Sequence, residues 1–285
     1  MVDRRVLVTG ASGFVGRQIV AALHALGAEP VVPAAPRPDL LLTAARRDLV
    51  AAARADTLIH AAWVTDHGAF WQSDQNLDWV GASLDLLRQF AAAGGKRVVL
   101  VGTCAEYDWS HPARAPWRET RATRPASLYG AAKLAAWTAA AAFAAQCGIS
   151  AANARLFLPV GRHEAEGRLL PRLLAAVRDG SDLPVGPAEL TRDVMDVRDA
   201  GEAIARLVLS PAEGPVNIGT GRPVTLGELV RRVAGAHAHP IRLGARTLRQ
   251  GEPLWMVADP KKLRRATGFV PRYRLGDTIA DALAR

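Results

Sequence analysis

The stretch Val6-Leu7-Val8-Thr9-Gly10-Ala11-Ser12-Gly13-Phe14-Val15-Gly16 leaves this chain few choices of fold. The apolar run from Arg5 to Thr9 ends in glycine, and helix-period apolar residues run from Val15 to Leu26, with Gly27 as C-cap. Gly10 permits a tight turn, Gly13 lets an anion approach the backbone, and Gly16 lets the helix pack closely on the strand. Free N–H groups and the helix dipole of such a turn favour a pyrophosphate. Gly10, Ser12, Gly13, Phe14, Val15 and Gly16 are therefore the candidate cofactor-binding turn.

The same alternation continues downstream. Strands are expected at Pro30–Pro33, Thr57–Ala62, Arg97–Thr103 and Ala151–Phe157, and helices at Asn76–Ala93 and Ser127–Gln146. Strands separated by helices of this length imply a parallel sheet with right-handed crossovers. The fold class is α/β, a Rossmann-type doubly wound parallel sheet with a small C-terminal substrate-binding lobe. Residues 1–159 are assigned to the dinucleotide-binding domain. Residues 160–285, with helices at 169–179, 199–209 and 226–236, form a lobe interleaved with the last sheet elements. Thr225 and Glu228 fit a capping box at the last of these helices.

Composition narrows the function classes. Half of the 285 residues are apolar, yet no run approaches a membrane span, and the N-terminal apolar segment is too short for a signal peptide. Cys104 and Cys147 lack metal-ligand spacing and are expected as reduced thiols in a cytoplasmic protein, with no metal site. The net charge of +9 comes from 36 basic residues, of which only four are lysines. The arginines are scattered rather than striped, which argues against nucleic acid as a partner and favours small anionic ligands. The cluster Lys261–Arg265 is expected to cover one face of a helix.

Tyr129-Gly130-Ala131-Ala132-Lys133 places a phenol and an ammonium on one helical face. A neighbouring Lys⁺ is expected to lower the Tyr129 pKa, so that Tyr129 exchanges a proton with a carbonyl oxygen that gains or loses hydride. Thr103 is a hydroxyl residue at the end of the preceding strand. His60 is expected to pack at a strand end, and Cys104 to be a small buried residue. The end of the second strand, Val31 to Arg37, holds no acid before Asp39. A carboxylate there would bind the ribose hydroxyls of NAD, whereas Arg37 suits a 2′-phosphate. NADP(H) is the expected cofactor, with NAD(H) as the alternative.

The turn TGASGFVG, Thr103 four residues before Tyr107, and Tyr129 with Lys133 together resemble the extended short-chain dehydrogenases of the NAD(P)-dependent epimerase/dehydratase family. The resemblance covers nearly the whole chain. It implies catalysis by Thr103, Tyr129 and Lys133, with Lys133 also on the nicotinamide ribose. It further implies Asp48 and Leu49 as an adenine-contacting pair, Ala61 and Ala62 at the end of a cleft-lining strand, Phe157 beside the cofactor, and Asn76 heading the long helix. A homodimer through the helices at 76–93 and 127–147 is expected from the family.

Departures from subfamily patterns narrow the chemistry. Cys104 and Ala105 stand where sugar 4,6-dehydratases carry Asp-Glu. Ala105 and Arg168 stand where GDP-fucose synthase-like enzymes carry cysteine and histidine. Hydride transfer without dehydration or 3,5-epimerisation remains. Arg192 in Thr191-Arg192-Asp193-Val194, and Arg249 and Glu252 in Arg249-Gln250-Gly251-Glu252, resemble contacts to a nucleotide-diphospho-sugar, the arginines on phosphate and the acid on ribose. Leu158 replaces a phosphate-contacting asparagine of UDP-galactose 4-epimerase-like enzymes. Trp63, Trp71, Trp79, Trp109 and Trp117 are expected to border the mouth of the site. The expected activity is NADPH-dependent reduction of a 4-keto nucleotide sugar. An NAD-retaining 4-epimerase, a reductase of a non-nucleotide ketone or aldehyde, and a catalytically silent NADP(H)-binding regulator stand as alternatives.

Overall fold

A computed structural model of the protein describes residues 4–64, 68–110, 114–235, 241–249 and 251–284. In chain order the elements of the first half are β1 (Arg5–Thr9), α1 (Gly16–Ala25), β2 (Glu29–Val31), α2 (Thr43–Ala53), β3 (Thr57–His60), α3 (Gln75–Ala92), β4 (Arg97–Thr103), a 3₁₀ turn (Cys104–Glu106), α4 (Leu128–Gln146) and β5 (Ser150–Leu156). The second half continues with β6 (Leu158–Val160), α5 (Leu169–Asp179), β7 (Leu183–Pro184), β8 (Thr191–Asp196), α6 (Val197–Leu209), β9 (Gly214–Ile218), β10 (Pro223–Thr225), α7 (Leu226–Ala234), β11 (Ile241–Arg242), β12 (Trp255–Met256), α8 (Lys261–Thr267) and α9 (Leu275–Leu283).

Six strands form one parallel sheet in the order β2-β1-β3-β4-β5-β9. The chain leaves β1 toward β2 on one side and returns through α2 to β3 on the other. The two crossovers diverge above the carboxyl ends of β1 and β3, where such sheets bind ligands. The strands are apolar on both faces. One face packs Val8, Ile19, Ile59, Val99, Ala154 and Ile204 with α1, α6 and α8. The other packs Leu7, Leu58, Leu86, Phe90, Val98 and Trp137 with α2, α3 and α4. A third core, with Leu170, Leu173, Leu229 and Ile279, belongs to the lobe of α5, α7 and α9 over the small sheets in which β8 pairs with β6, β10 and β12, and β7 with β11.

Helix boundaries follow local chemistry. The Ser127 hydroxyl accepts from Gly130 N at 3.1 Å to start α4, and Thr225 does the same for Glu228 N at 3.0 Å to start α7. At the sheet edge Glu29 N donates to Arg4 O, so β2 contributes only three residues. The helix α2 and the helix α9 were not expected from periodicity. The residue that α2 buries is as much Arg46, paired with Asp85 at 2.6 Å, as an apolar one.

Gly201 of α6 lies where a Cβ would come within 2.5 Å of the Gln18 carbonyl carbon on α1. Gly201→Ala is expected to force these helices apart and cost about 1–3 kcal/mol, measurable as a lower midpoint in urea unfolding with an unchanged slope.

Candidate active site

The glycine turn is built by contacts that exclude side chains. Gly10 has φ +70°, and a Cβ there would lie 2.6 Å from Ala62 N and 2.7 Å from the Ala61 carbonyl carbon. At Gly16 it would lie 2.0 Å from Gly10 O, whereas Gly13 is exposed and donates its N–H to Gly10 O at 2.9 Å. Ser12 is exposed, and Phe14 and Val15 are half-buried beside it. The cradle fits a pyrophosphate: its backbone is bare where an anion would approach, and its depth is set by glycines that nothing larger replaces. Arg17, which the sequence did not single out, donates from Nη2 to Ser12 O at 3.0 Å and from Nε to Gly13 O at 3.3 Å. It brings a guanidinium to the same rim.

Of the residues expected at the adenine end, Arg37 lies exposed in the loop after β2. Asp48 and Leu49 do not reach that loop, which corrects the sequence reading. Both lie inside α2, where Asp48 is solvent-exposed beside Arg47 at 3.0 Å and Leu49 packs toward the core. The segment between β2 and β3 is short and spends its second half as helix, so Asp39 and Leu40 occupy the loop instead, with Asp39 Oδ1 accepting from Leu41 N at 3.0 Å. Phe157, expected beside the cofactor, is buried with Tyr107, Trp117 and Cys104.

Thr103 closes β4, and its hydroxyl accepts from Ala105 N at 3.1 Å, capping the 3₁₀ turn. The helix α4 meets that turn at Gly130, where a Cβ would come within 2.4 Å of Ala105 O. This close approach sets Tyr129 beside Thr103. Burial holds the Tyr129 hydroxyl above its ordinary range, and the nearby Thr103 hydroxyl opposes the shift. The expectation that Lys133 lowers the Tyr129 pKa is not met, because the lysine faces elsewhere. Lys133 Nζ donates to Val101 O at 3.0 Å and lies 3.9 Å from the centre of the Trp63 ring. Burial brings its pKa from 10.5 down to about 7, with the Glu106 carboxylate resisting.

The neighbours of this pair are kept uncharged. His60 bridges Thr9 Oγ1 at 2.7 Å and Ser83 Oγ at 2.8 Å, and burial lowers its pKa to about 3, helped by Lys133. Cys104 is buried against Met256, and its thiol is pushed up to about 12. Both are packing residues, as their sequence context suggested.

An aromatic wall covers Tyr129. Phe70 and Trp71 meet its ring edge-on at 4.9 and 5.6 Å, and Trp109 meets Trp71 at 6.1 Å. The Trp71 carbonyl accepts from Tyr129 N at 3.2 Å. Asn76 braces the segment by donating to Phe70 O and Ser73 O and accepting from Trp63 Nε1 at 2.8 Å. Trp79 packs on Trp63 and His60, and Trp117 is fully buried against Tyr107 rather than at the mouth. Phe70 escaped the sequence reading, since an aromatic residue in a loop carries no period.

The substrate-half residues converge on the same mouth. Arg192 pairs with Glu252 at 2.7 Å and donates to Pro253 O at 2.9 Å. The Arg249 guanidinium lies 4.6 Å from the centre of the Trp71 ring. Gln250 lies outside the described residues. Arg168, at the head of α5, pairs with Glu164 at 2.8 Å, and its positive charge is felt at Tyr129. In Trp71→Ala the Tyr129 hydroxyl gains water, so its titration is expected to fall toward the ordinary range. Tyrosinate absorbance, with Tyr129→Phe as blank, measures the shift.

Comparison with known proteins places these features. The model of the NAD dependent epimerase/dehydratase family matches residues 6–219. The dTDP-6-deoxy-L-talose 4-dehydrogenase (NAD(P)(+)) of Kitasatospora kifunensis is 30% identical over 97% of this chain and 94% of its own length. The UDP-glucose 4-epimerase of Corynebacterium glutamicum is 27% identical over 73% of this chain and 68% of its own. Among solved structures, MoeE5 in complex with UDP-glucuronic acid and NAD superposes with a TM-score of 0.82 at 27% identity, covering 98% of each chain. The chain belongs to the NAD dependent epimerase/dehydratase family and is an NAD(P)-dependent enzyme of the extended short-chain dehydrogenase type.

Proposed function

We propose that this protein reduces the 4-keto group of a nucleoside-diphospho-sugar with NADPH, in the cytoplasm. The observation that carries the reading is the meeting of Tyr129 with Thr103 at the carboxyl end of β4, two strands from β1, which leads into the glycine turn. The relative most alike over its whole length among those above acts, by its name, on the 4-position of a dTDP-6-deoxysugar.

In this reading Gly10 through Gly16 hold the pyrophosphate, Arg37 pairs with the 2′-phosphate, and Lys133 hydrogen-bonds the nicotinamide ribose. Ala61 and Ala62 wall the cleft. The bound cofactor supplies a hydride to the carbonyl carbon. The Thr103 hydroxyl orients the carbonyl oxygen, and the Tyr129 hydroxyl gives that oxygen its proton. A tyrosine held above its ordinary range by burial keeps its proton, which suits a donor in reduction better than a base in oxidation. Phe70 and Trp71 exclude water from the transfer. Arg192 and Arg249 bind the diphosphate, leaving Glu252 and Trp71 for phosphate oxygens, and Glu252 turns to the nucleoside ribose.

A second reading, a 4-epimerase that retains NAD, is favoured by the UDP-glucose 4-epimerases among the relatives. Calorimetric titration separates the two. Selective NADPH binding, followed by preference of that complex for one of UDP, dTDP, GDP or CDP, is expected. NADH preference or co-purifying NAD supports the epimerase, and indifference to every nucleotide supports a small-ketone reductase. Tyr129→Phe is expected to bind cofactor normally and lose at least about a hundredfold in turnover. Unchanged biological activity in that variant would indicate a silent regulator.

The protein is further proposed to act as a homodimer through α3 and α4. The solvent face of α4 carries Ala131, Ala135, Thr138, Ala139 and Ala142 without a charge, beside Leu84, Phe143 and the paired Asp85 and Arg88 of α3. A surface of small apolar residues lets two helices approach closely. Sedimentation is expected to show a dimer that Ala139→Arg converts to monomer.

A further inference from the structure

Beneath Thr103 lies a buried polar cluster that the proposed reaction does not use. Glu106, fully buried, receives Thr103 N at 2.9 Å on Oε1, and Asn153 Nδ2 and Arg155 Nε, each at 2.8 Å, on Oε2. The Arg155 guanidinium lies 4.5 Å from the centre of the Tyr107 ring, and the Tyr107 hydroxyl donates to Asn217 Oδ1 at 2.6 Å. A carboxylate so far from water is costly unless its partners are complete. Here it holds the backbone of a strand end that carries a substrate-facing hydroxyl.

The strand itself leaves an opening toward Lys133. At Gly102 a Cβ would sit 2.4 Å from Glu106 Oε1 and 2.1 Å from Asn153 Oδ1, so only glycine permits the carboxylate and amide to lie there. A cavity of about 10 Å³ is lined by Gly102, Val101, Asn153, His60, Trp63 and Lys133. Asn153 Oδ1 accepts no hydrogen bond, and Lys133 uses one of its three donors, on Val101 O. The groups facing Lys133 are the Trp63 ring, neutral His60, the Asn153 amide and, behind Gly102, the Glu106 carboxylate.

We propose that Glu106 is a positioning residue for the active site: it fixes Thr103 through the backbone N–H and is the counter-charge of Lys133 across the gap left by Gly102. The inference rests on the assignment of Thr103 and Lys133 to the reaction, but its test reads the lysine directly. Glu106 and Arg155 neutralise one another in part, so removing either changes the field at Lys133 in opposite senses. Without the carboxylate, Lys133 loses its proton more readily. Without the guanidinium, the uncompensated carboxylate holds that proton more tightly.

The experiment compares folding stability against pH for cofactor-free protein, each form referenced to its own Lys133→Met derivative. The lysine titrates near 7 when folded, against 10.5 ordinarily, so the unfolded chain binds more protons between those values. The stability of the parent relative to its methionine derivative therefore rises with pH from about 7. In Glu106→Gln the rise is expected to begin at least one pH unit lower, and in Arg155→Met at least one unit higher. General damage to the cluster would lower both melting temperatures and leave the onset in place, or move it the same way in both; either result overturns the proposal. Should one variant fail to fold, the direction of the other's onset decides. The pH profile of turnover, once a substrate is in hand, is expected to shift in the same two senses, whereas failure of the substrate assignment leaves the stability result intact.

Discussion

Gly10 lies against the peptide that joins Ala61 to Ala62 so closely that no side chain fits between them. This contact ties the end of β1 to the end of β3, and the site depends on it. It lets α1 begin at Gly16 directly above the turn, with its dipole and free N–H groups facing the cleft. The same junction lies where the two crossovers part. Because β3, β4 and β5 continue in register from β1, Thr103 comes to the same edge of the sheet, and α4 follows through its own glycine contact at Ala105. Two glycine-only approaches therefore place the glycine turn and Tyr129 on one rim.

Charge is distributed in the opposite way from what composition suggests. A chain with a net charge of +9 surrounds Tyr129 and Lys133 with groups kept neutral by burial, His60 and Cys104 among them. The arginines near the mouth are already partnered, Arg192 by Glu252 and Arg168 by Glu164, and Arg249 rests on an aromatic face. Any anion binding at these arginines would have to compete with these partners, so its recognition would be an exchange rather than capture by open charge. The ion pair of Glu106 and Arg155 lies in the interior, and each partner is bonded on several sides.

The central strands and capped helices were legible because their signals are local. The stretch Val98–Val101 at the centre of β4 is an unbroken apolar run, as a strand buried on both faces must be, and Ser127 and Thr225 mark helix starts by hydroxyls that accept from the third residue on. The glycine turn, Thr103, Tyr129 and Lys133 were likewise readable as a pattern of types at fixed spacing. The helix α2 was not, since it buries Arg46 through a distant Asp85 and shows no clean apolar stripe. The sequence reading expected no helix there, and the pair it likened to an adenine contact, Asp48 and Leu49, falls inside α2. The direction of Lys133 was also hidden, because its partners, Val101 O and Trp63, lie 32 and 70 residues away in sequence. Glu106 had no role in the sequence reading, since its partners Asn153 and Arg155 lie 47 and 49 residues away in sequence.

The three-residue strand β2 has one more consequence. As the outermost member of a six-stranded sheet it presents an open row of backbone groups, the kind of edge along which sheets of different molecules join. Glu29 turns its N–H inward to Arg4, which leaves Pro30 facing outward with no N–H to offer, and Pro33, Pro36 and Pro38 follow. The edge beside the loop that carries Arg37 is thus blunted against fibre-like growth. A cleft rim can stay open to a passing cofactor without becoming a template for another chain.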